Sequence, residues 1–258
     1  SEMVRNKGKI SGCKLIAHKS GIVEGRYGED DPASIREAID AGYWMLEVDV
    51  RSTKDSFLVV NHDNSLQRFF SDPRRISELT WDELKEIKAE KGNYHPLLFE
   101  ELCRICSGKV QLMIDVKGSQ SPGFYHNLGQ ILEKYGLLRG AYFIDQKARH
   151  YFMGKAKFSV RVNEIDFLQE QLLSGKDIAC HYFLFENGNF LPSAAIKWCQ
   201  QHHITVVPSV NIWHYKDENP MLGAKRDIAF FRECGVTEFQ IDSEYFHFLS
   251  TGAEEANE

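Results

Sequence analysis

"YWMLEVDVRSTKDSFLVVNHD" (residues 43–63) sets the frame for the rest of the chain. Met45, Leu46, Val48 and Val50 suit a strand buried on both faces, and Glu47 and Asp49 interrupt it. Side chains alternate along a strand, so Glu47 and Asp49 share one face, with Met45 below them. Two carboxylates at that spacing repel, and burying either one unpartnered is costly. A hard divalent cation, Mg²⁺ or Ca²⁺, would satisfy both through oxygen ligands. A wet strand face, or an Arg or Lys partner for each carboxylate, would do so too, and the local pattern leaves these open. "FLVVNHD" (57–63) reads as an extension paired near this strand and ends in His62-Asp63.

Further strands flank this one. "CKLIAH" (13–18) precedes it, and "DPASIREAIDAG" (31–42) between them reads as a helix. Asp31 is its N-cap, Pro32 its first residue, and Gly42 lies past its end. "KVQLMIDVKG" (109–118), "AYFID" (141–145), "KFSVRV" (157–162), "DIACHYFLF" (177–185), "ITVVPSV" (204–210) and "TEFQID" (237–242) follow. Helical stretches at 124–137, 164–174, 193–202 and 223–233 separate most of them. Strands alternating with helices imply a parallel sheet with helices outside. Eight such strands over 258 residues predict an α/β fold, a single closed (β/α)8 TIM barrel spanning 1–258. Residues 64–96 break the rhythm as a small insertion after strand two. "SELTWDELKEI" inside it carries a capping box, with Thr80 as N-cap and Glu83 at N3.

Composition narrows the function. A net charge of −6 and a pI near 5.9 argue against a nucleic-acid partner. No apolar run is long enough to span a bilayer, so no stable membrane insertion is expected, and with no leader in view a cytoplasmic location is expected, secretion staying open. Ser1-Glu2 ahead of Met3 reads as the remnant of a cleaved tag. The six cysteines sit in apolar surroundings and read as small core residues in a reducing compartment. "FEELCRICSG", which holds Cys103 and Cys106, reads as a helix end with no second Cys or His pair nearby. No G-x-G-x-x-G or G-x-x-x-x-G-K-S/T opens a helix, which leaves a nucleotide cradle unsupported.

Active sites of (β/α)8 barrels lie at the C-terminal ends of the strands. Here strand one ends in His18-Lys19, strand two carries Glu47 and Asp49, and its extension ends in His62-Asp63. Strand three brings Asp115 and Lys117 on one face, strand seven runs into Ser209, Asn211 and Trp213, and strand eight ends in Asp242. Carboxylates, two histidines and a lysine at one mouth suit phosphoryl chemistry. A metal draws charge from a phosphate oxygen, and a lysine adds a point charge. Two imidazoles can serve as base and acid, because their pKa lies near neutrality.

The stretch "LIAHKSG…GEDDPASIREAIDAGYWMLEVDVRSTKDSFLVVNHDNSLQR" resembles the opening of the glycerophosphodiester phosphodiesterase family. "HPLLFEEL", "LMIDVKG", "VVPSVNIW" and "GVTEFQIDS" extend the resemblance along the chain. It implies one divalent cation, Mg²⁺ or Ca²⁺, on Glu47, Asp49 and Asp115. It implies His18 and His62 as the catalytic pair and Lys117 on the phosphate. It places Glu29 in the family's Glu-Asn-Thr box, here followed by Asp30 and Asp31. Lys19 stands where the family has Arg and cannot form the two-pronged clamp on phosphate that Arg can. With Glu29, Lys19 and Lys117, strand-seven Asn211 and Trp213 complete the expected substrate- and phosphate-binding set.

The expected reaction is therefore metal-dependent hydrolysis of a small glycerol- or sugar-type phosphodiester to an alcohol and a phosphate monoester. Asp115-x-Lys117 also resembles the sphingomyelinase-D-like enzymes, whose chemistry would release a cyclic phosphate. A non-catalytic barrel that binds phosphodiesters is the third reading. It conflicts with the chemical competence of the main site positions.

Overall fold

Eight parallel strands close into a barrel in the computed structural model, which describes residues 12–21 and 27–250. They are β1 (Lys14–Ala17), β2 (Met45–Ser52), β3 (Gln111–Val116), β4 (Tyr142–Phe143), β5 (Lys157–Val160), β6 (Tyr182–Asn187), β7 (Thr205–Val210) and β8 (Glu238–Ile241). β1 closes the ring, pairing with β8 (Ile16 opposite Gln240) and with β2 (Ile16 opposite Met45). Ser1-Glu2 lies outside the described residues.

Alternation sorts the strand residues into two sets. Leu46, Val48 and Val50 of β2, with Leu112 and Ile114 of β3, face the helix layer in the main apolar cluster. Ile16, Met45, Met113, Phe183, Phe185 and Val207 fill the barrel interior as a separate cluster. Each such side chain, fully buried, contributes about 1.5–3 kcal/mol of apolar transfer. Both faces of the strands are thus dry, which explains their near-continuous apolar runs.

Local chemistry sets the helix ends. Asp31 accepts a 2.9 Å hydrogen bond from Ala33 N–H at the start of helix Pro32–Ala41, and Gly42 ends it at φ 96°. Ser121 caps Pro122–Lys134, and Asn219 caps Pro220–Glu233, so both helices begin earlier than their apolar periodicity predicts. Residues 177–181, expected to open strand six, form a turn in which Asp177 accepts from Ala179 N–H at 3.0 Å. "FEELCRIC" is a complete helix, Phe99–Cys106, rather than only the end of one.

The excursion after β2 has its own architecture. Leu58–Val60 folds back antiparallel on β2, and Leu97–Leu98 pairs with it in turn. Between them, Ser65–Leu66 and Asp72–Arg75 form a two-stranded ribbon around the turn Gln67–Phe70. The helical turn Trp81–Leu84 carries the Thr80/Glu83 capping box. Leu66, Phe70, Ile76, Leu79, Leu84 and Tyr94 pack with Val59 into a local apolar cluster.

Candidate active site

The C-terminal ends of the barrel strands surround a cavity of about 490 Å³. His18, Lys19, Glu47, Asp49, His62, Asp115 and Lys117 line one side of it, and Arg161, Phe185, Asn187, Asn211 and Trp213 are among the residues on the other. Of the residues expected to act in catalysis or to bind cation or substrate, Glu29 alone does not line this cavity; the strand-end residues Asp63 and Asp242 stand behind its two histidines.

Glu47 and Asp49 are buried, which excludes a wet strand face. Asp115 lies directly opposite Asp49 in the β2–β3 register. One oxygen from each of the three carboxylates lies within 4.8 Å of the other two. Burial pushes the Glu47 carboxyl well up, and the Asp49 charge adds to this while Lys19 N–H opposes it. Burial also pushes Asp49 up against the pull of Lys117. Lys117 Nζ sits 2.8 Å from Asp115 Oδ2 and 3.7 Å from Asp49 Oδ1. Asp49 Oδ1 is buried without a hydrogen-bond partner. An all-oxygen donor set with a buried oxygen left over fits a hard divalent cation.

β1 ends in an unusual turn. Lys19 (φ 52°) and Ser20 (φ 67°) are both left-handed, at a cost on the order of 1 kcal/mol each. This turn aims Lys19 N–H at Glu47 Oε2, 2.8 Å away. Ser20 Oγ donates to Asp30 Oδ1 at 2.5 Å and to the Glu47 carbonyl at 3.3 Å. The Lys19 ammonium lies 3.1 Å from Glu29 Oε1. Glu29 therefore meets the site through a cation rather than through the cavity itself.

Each histidine has a carboxylate on Nδ1. His18 Nδ1 is 2.6 Å from Asp242 Oδ1, and His62 Nδ1 is 2.9 Å from Asp63 Oδ1. His18 Nε2 stands 4.0 Å from Glu47 Oε2. Arg51 donates to the carbonyls of Asn61 (3.0 Å) and His62, which fixes the backbone under His62.

Opposite, Asn211 Nδ2 donates to Ser209 Oγ at 2.9 Å and Gln240 Oε1 at 3.3 Å. Its Oδ1 is buried without a partner. Trp213 is half exposed at the rim. Arg161 lies over the Phe185 ring and donates to the Phe185 carbonyl at 3.3 Å. Arg161, Asn187 and Gln240 were not singled out from sequence, and Asp242 was noted only as a strand end. The signal that could have found them is the same i, i+2 alternation, carried one step past the apolar part of the strand for Arg161 and Asn187 and followed along β8 through Gln240 to Asp242.

A family profile described as the glycerophosphoryl diester phosphodiesterase family matches residues 24–170. A glycerophosphodiester phosphodiesterase of Bacillus altitudinis is 28% identical over 133 residues, 47% of this chain and 53% of that protein. Human glycerophosphodiester phosphodiesterase 1 is 25% identical over 126 residues, 45% of this chain and 37% of that protein. The first of these matches spans about half of its relative's length. Among solved structures, a glycerophosphoryl diester phosphodiesterase from Parabacteroides distasonis superposes with a TM-score of 0.73 at 19% identity, covering 97% of this chain and 88% of that one. An Oleispira antarctica phosphodiesterase in complex with the product sn-glycerol-3-phosphate gives 0.68 at 16% identity, covering 95% and 96%.

Proposed function

The chain belongs to the glycerophosphoryl diester phosphodiesterase family, and from that membership we propose that it hydrolyses a small glycerol-type phosphodiester to an alcohol and a phosphate monoester. One observation carries the reading. Three clustered carboxylates and two carboxylate-bound histidines face a single cavity. The product complex of the Oleispira protein supports a glycerol phosphate arm in the substrate.

Glu47, Asp49 and Asp115 would hold the cation, Mg²⁺ or Ca²⁺, which when bound draws charge from a non-bridging phosphate oxygen. Lys117 places its ammonium beside the same group. A substrate hydroxyl next to the phosphoester attacks phosphorus, and one imidazole takes its proton at Nε2. The bond from phosphorus to the leaving oxygen breaks, and the other imidazole protonates that oxygen. Water then adds to phosphorus, giving its proton to the imidazole left neutral by the first step; the ring bond from phosphorus to the attacking hydroxyl oxygen breaks, and the protonated imidazole returns a proton to that oxygen. The carboxylate on each Nδ1 keeps the proton on that nitrogen and leaves Nε2 to exchange with substrate.

The test is phosphorus NMR of the products from a panel of glycerophosphodiesters, with Mg²⁺ or Ca²⁺ added. A phosphate monoester and free alcohol are expected. Accumulation of cyclic phosphate would assign the cyclising reaction suggested by Asp115-x-Lys117. No turnover with either cation would overturn the enzymatic reading.

A further inference from the structure

Arg68 lies on the excursion, outside the cavity, and reaches back to two carboxylates at once. Its Nε donates to Asp63 Oδ2 at 3.0 Å and its Nη2 to Asp63 Oδ1 at 3.1 Å. On the other edge, Nη1 meets Glu29 Oε1 at 3.1 Å and Nη2 meets Glu29 Oε2 at 3.2 Å. Asp63 Oδ1 is the oxygen bound to His62 Nδ1, and Glu29 Oε1 is the oxygen bound to Lys19 Nζ. A continuous path, His62–Asp63–Arg68–Glu29–Lys19, thus runs along the mouth from the excursion to the end of β1.

We propose that Arg68 is the positioning residue of His62, holding the Asp63 carboxylate in the plane that fixes the imidazole's orientation and tautomer. This rests on the role given to His62 above. The His62 side chain is 40% exposed, so packing alone does not hold its ring. Its Nδ1 bond to Asp63 is the side-chain contact that does so, and Asp63 would swing freely without its own anchor. Burial pushes Asp63 up, but the bonds from His62 and Arg68 outweigh it and keep the carboxyl below its ordinary range. The geometry requires a guanidinium. Two carboxylates are gripped by a planar fork whose donors point along two edges, and a lysine offers a single point. Glu29, 7% exposed, anchors the far edge of the fork. The excursion therefore contributes to the site by delivering Arg68.

The test combines R68Q, R68K and H62A, assayed on a glycerophosphodiester with an ordinary alcohol leaving group, so that both proton transfers are required. R68Q is expected to lower kcat by about 10- to 100-fold, the cost of misplacing a reacting group by around an ångström. KM should move little, and R68K should recover part of the loss. In an H62A background, R68Q should add less than about twofold, because residues acting through one group are not additive. An unchanged kcat in R68Q, or the same loss with and without His62, would overturn the proposal. The ¹⁵N spectrum of the His62 imidazole reads the geometry without turnover. The wild type should show one fixed Nδ1–H tautomer and R68Q a mixture, and identical spectra would also overturn it. Wild-type turnover in H62A would instead remove the catalytic role of His62, a failure of the functional reading that these spectra separate from that of Arg68.

Discussion

His18 and Asp242 meet at 2.6 Å across the seam where β1 and β8 close the barrel. Asp242 Oδ2 also accepts from Ile212 N–H at 2.7 Å, so one carboxylate ties His18 to the loop that carries Trp213. Burial pushes the Asp242 carboxyl up. The hydrogen bond and charge of His18 and the Ile212 N–H outweigh it, and the group stays below its ordinary range. An ionised acceptor there keeps the proton on Nδ1. In D242N the amide can still accept from Ile212 N–H while its NH₂ donates to Nδ1, which forces the opposite tautomer. The expected loss in kcat is on the order of 10²- to 10⁴-fold with cation affinity unchanged. Steady-state kinetics and a cation titration check both parts.

With the proposed cation on the carboxylate cluster, stability should depend on cation and pH. The folded-state pKa of Glu47 is raised, so its contribution is fully present below the unfolded value and is lost as pH rises through the folded one. In chelator, E47Q should therefore melt above the wild type at pH 7.5, with the gap narrowing towards pH 4.5. Millimolar Mg²⁺ or Ca²⁺ should raise the wild-type Tm and leave E47Q nearly unmoved. Thermal melts across pH, with and without cation, decide this. A wild type indifferent to both cations would remove the metal site.

Lys117 touches Asp115 and stands beside Asp49. Its removal would take away the charge proposed to meet phosphate and leave those carboxylates less compensated. K117A should lose about 10²-fold or more in kcat/KM, as for one preorganised donor. It should also depend more steeply on added cation. Equal cation dependence in K117A and wild type would separate Lys117 from the cluster.

Lys19 Nζ is held by Glu29. K19A should lower kcat/KM by about tenfold, the size of one partly solvated charge contact, and K19R should shift the preference among substrates rather than abolish turnover. Unchanged kcat/KM in both variants on every active substrate would restrict Lys19 to its ion pair.

The cysteines should behave as packing residues. All six are free, and Cys103, Cys106 and Cys199 are buried, with burial pushing the latter two thiols to about 12. Cys180 is the exposed one. A thiol reagent should titrate Cys180 first and half-buried Cys234 more slowly in the native protein, and the four buried thiols on denaturation, with a Tm indifferent to reductant.

The legible part of this site was whatever lies on one strand. Glu47 and Asp49, or Asp115 and Lys117, announce themselves because two residues on one face are fixed by strand geometry alone. Their convergence at one mouth followed once eight strands were counted. Partnerships between distant strands were not legible. Nothing near His18 marks Asp242 as its neighbour, because barrel closure makes that contact. Arg68 closes the stretch that carries the family resemblance, but the sequence shows no partner for it. Its importance comes from Glu29, 39 positions earlier, turning to face it. Short elements blur only in extent: "AYFID" (141–145) predicts the strand, and pairing in β4 is confined to Tyr142–Phe143.

Barrel closure also sets an order in time. The His18–Asp242 contact joins positions 224 apart, and β1 stays unpaired on one side until β8 exists. A ribosome adding roughly 5–20 residues per second leaves about 10–45 s between the emergence of one partner and the other. Glu47, Asp49 and Asp115, on strands adjacent in the finished barrel, are all synthesised within that interval. The carboxylates of the proposed cation site thus precede Asp242, the partner of His18, in synthesis. On the proposed roles, an unfinished chain would present its cation ligands before it could orient His18, and turnover would wait on the last strand.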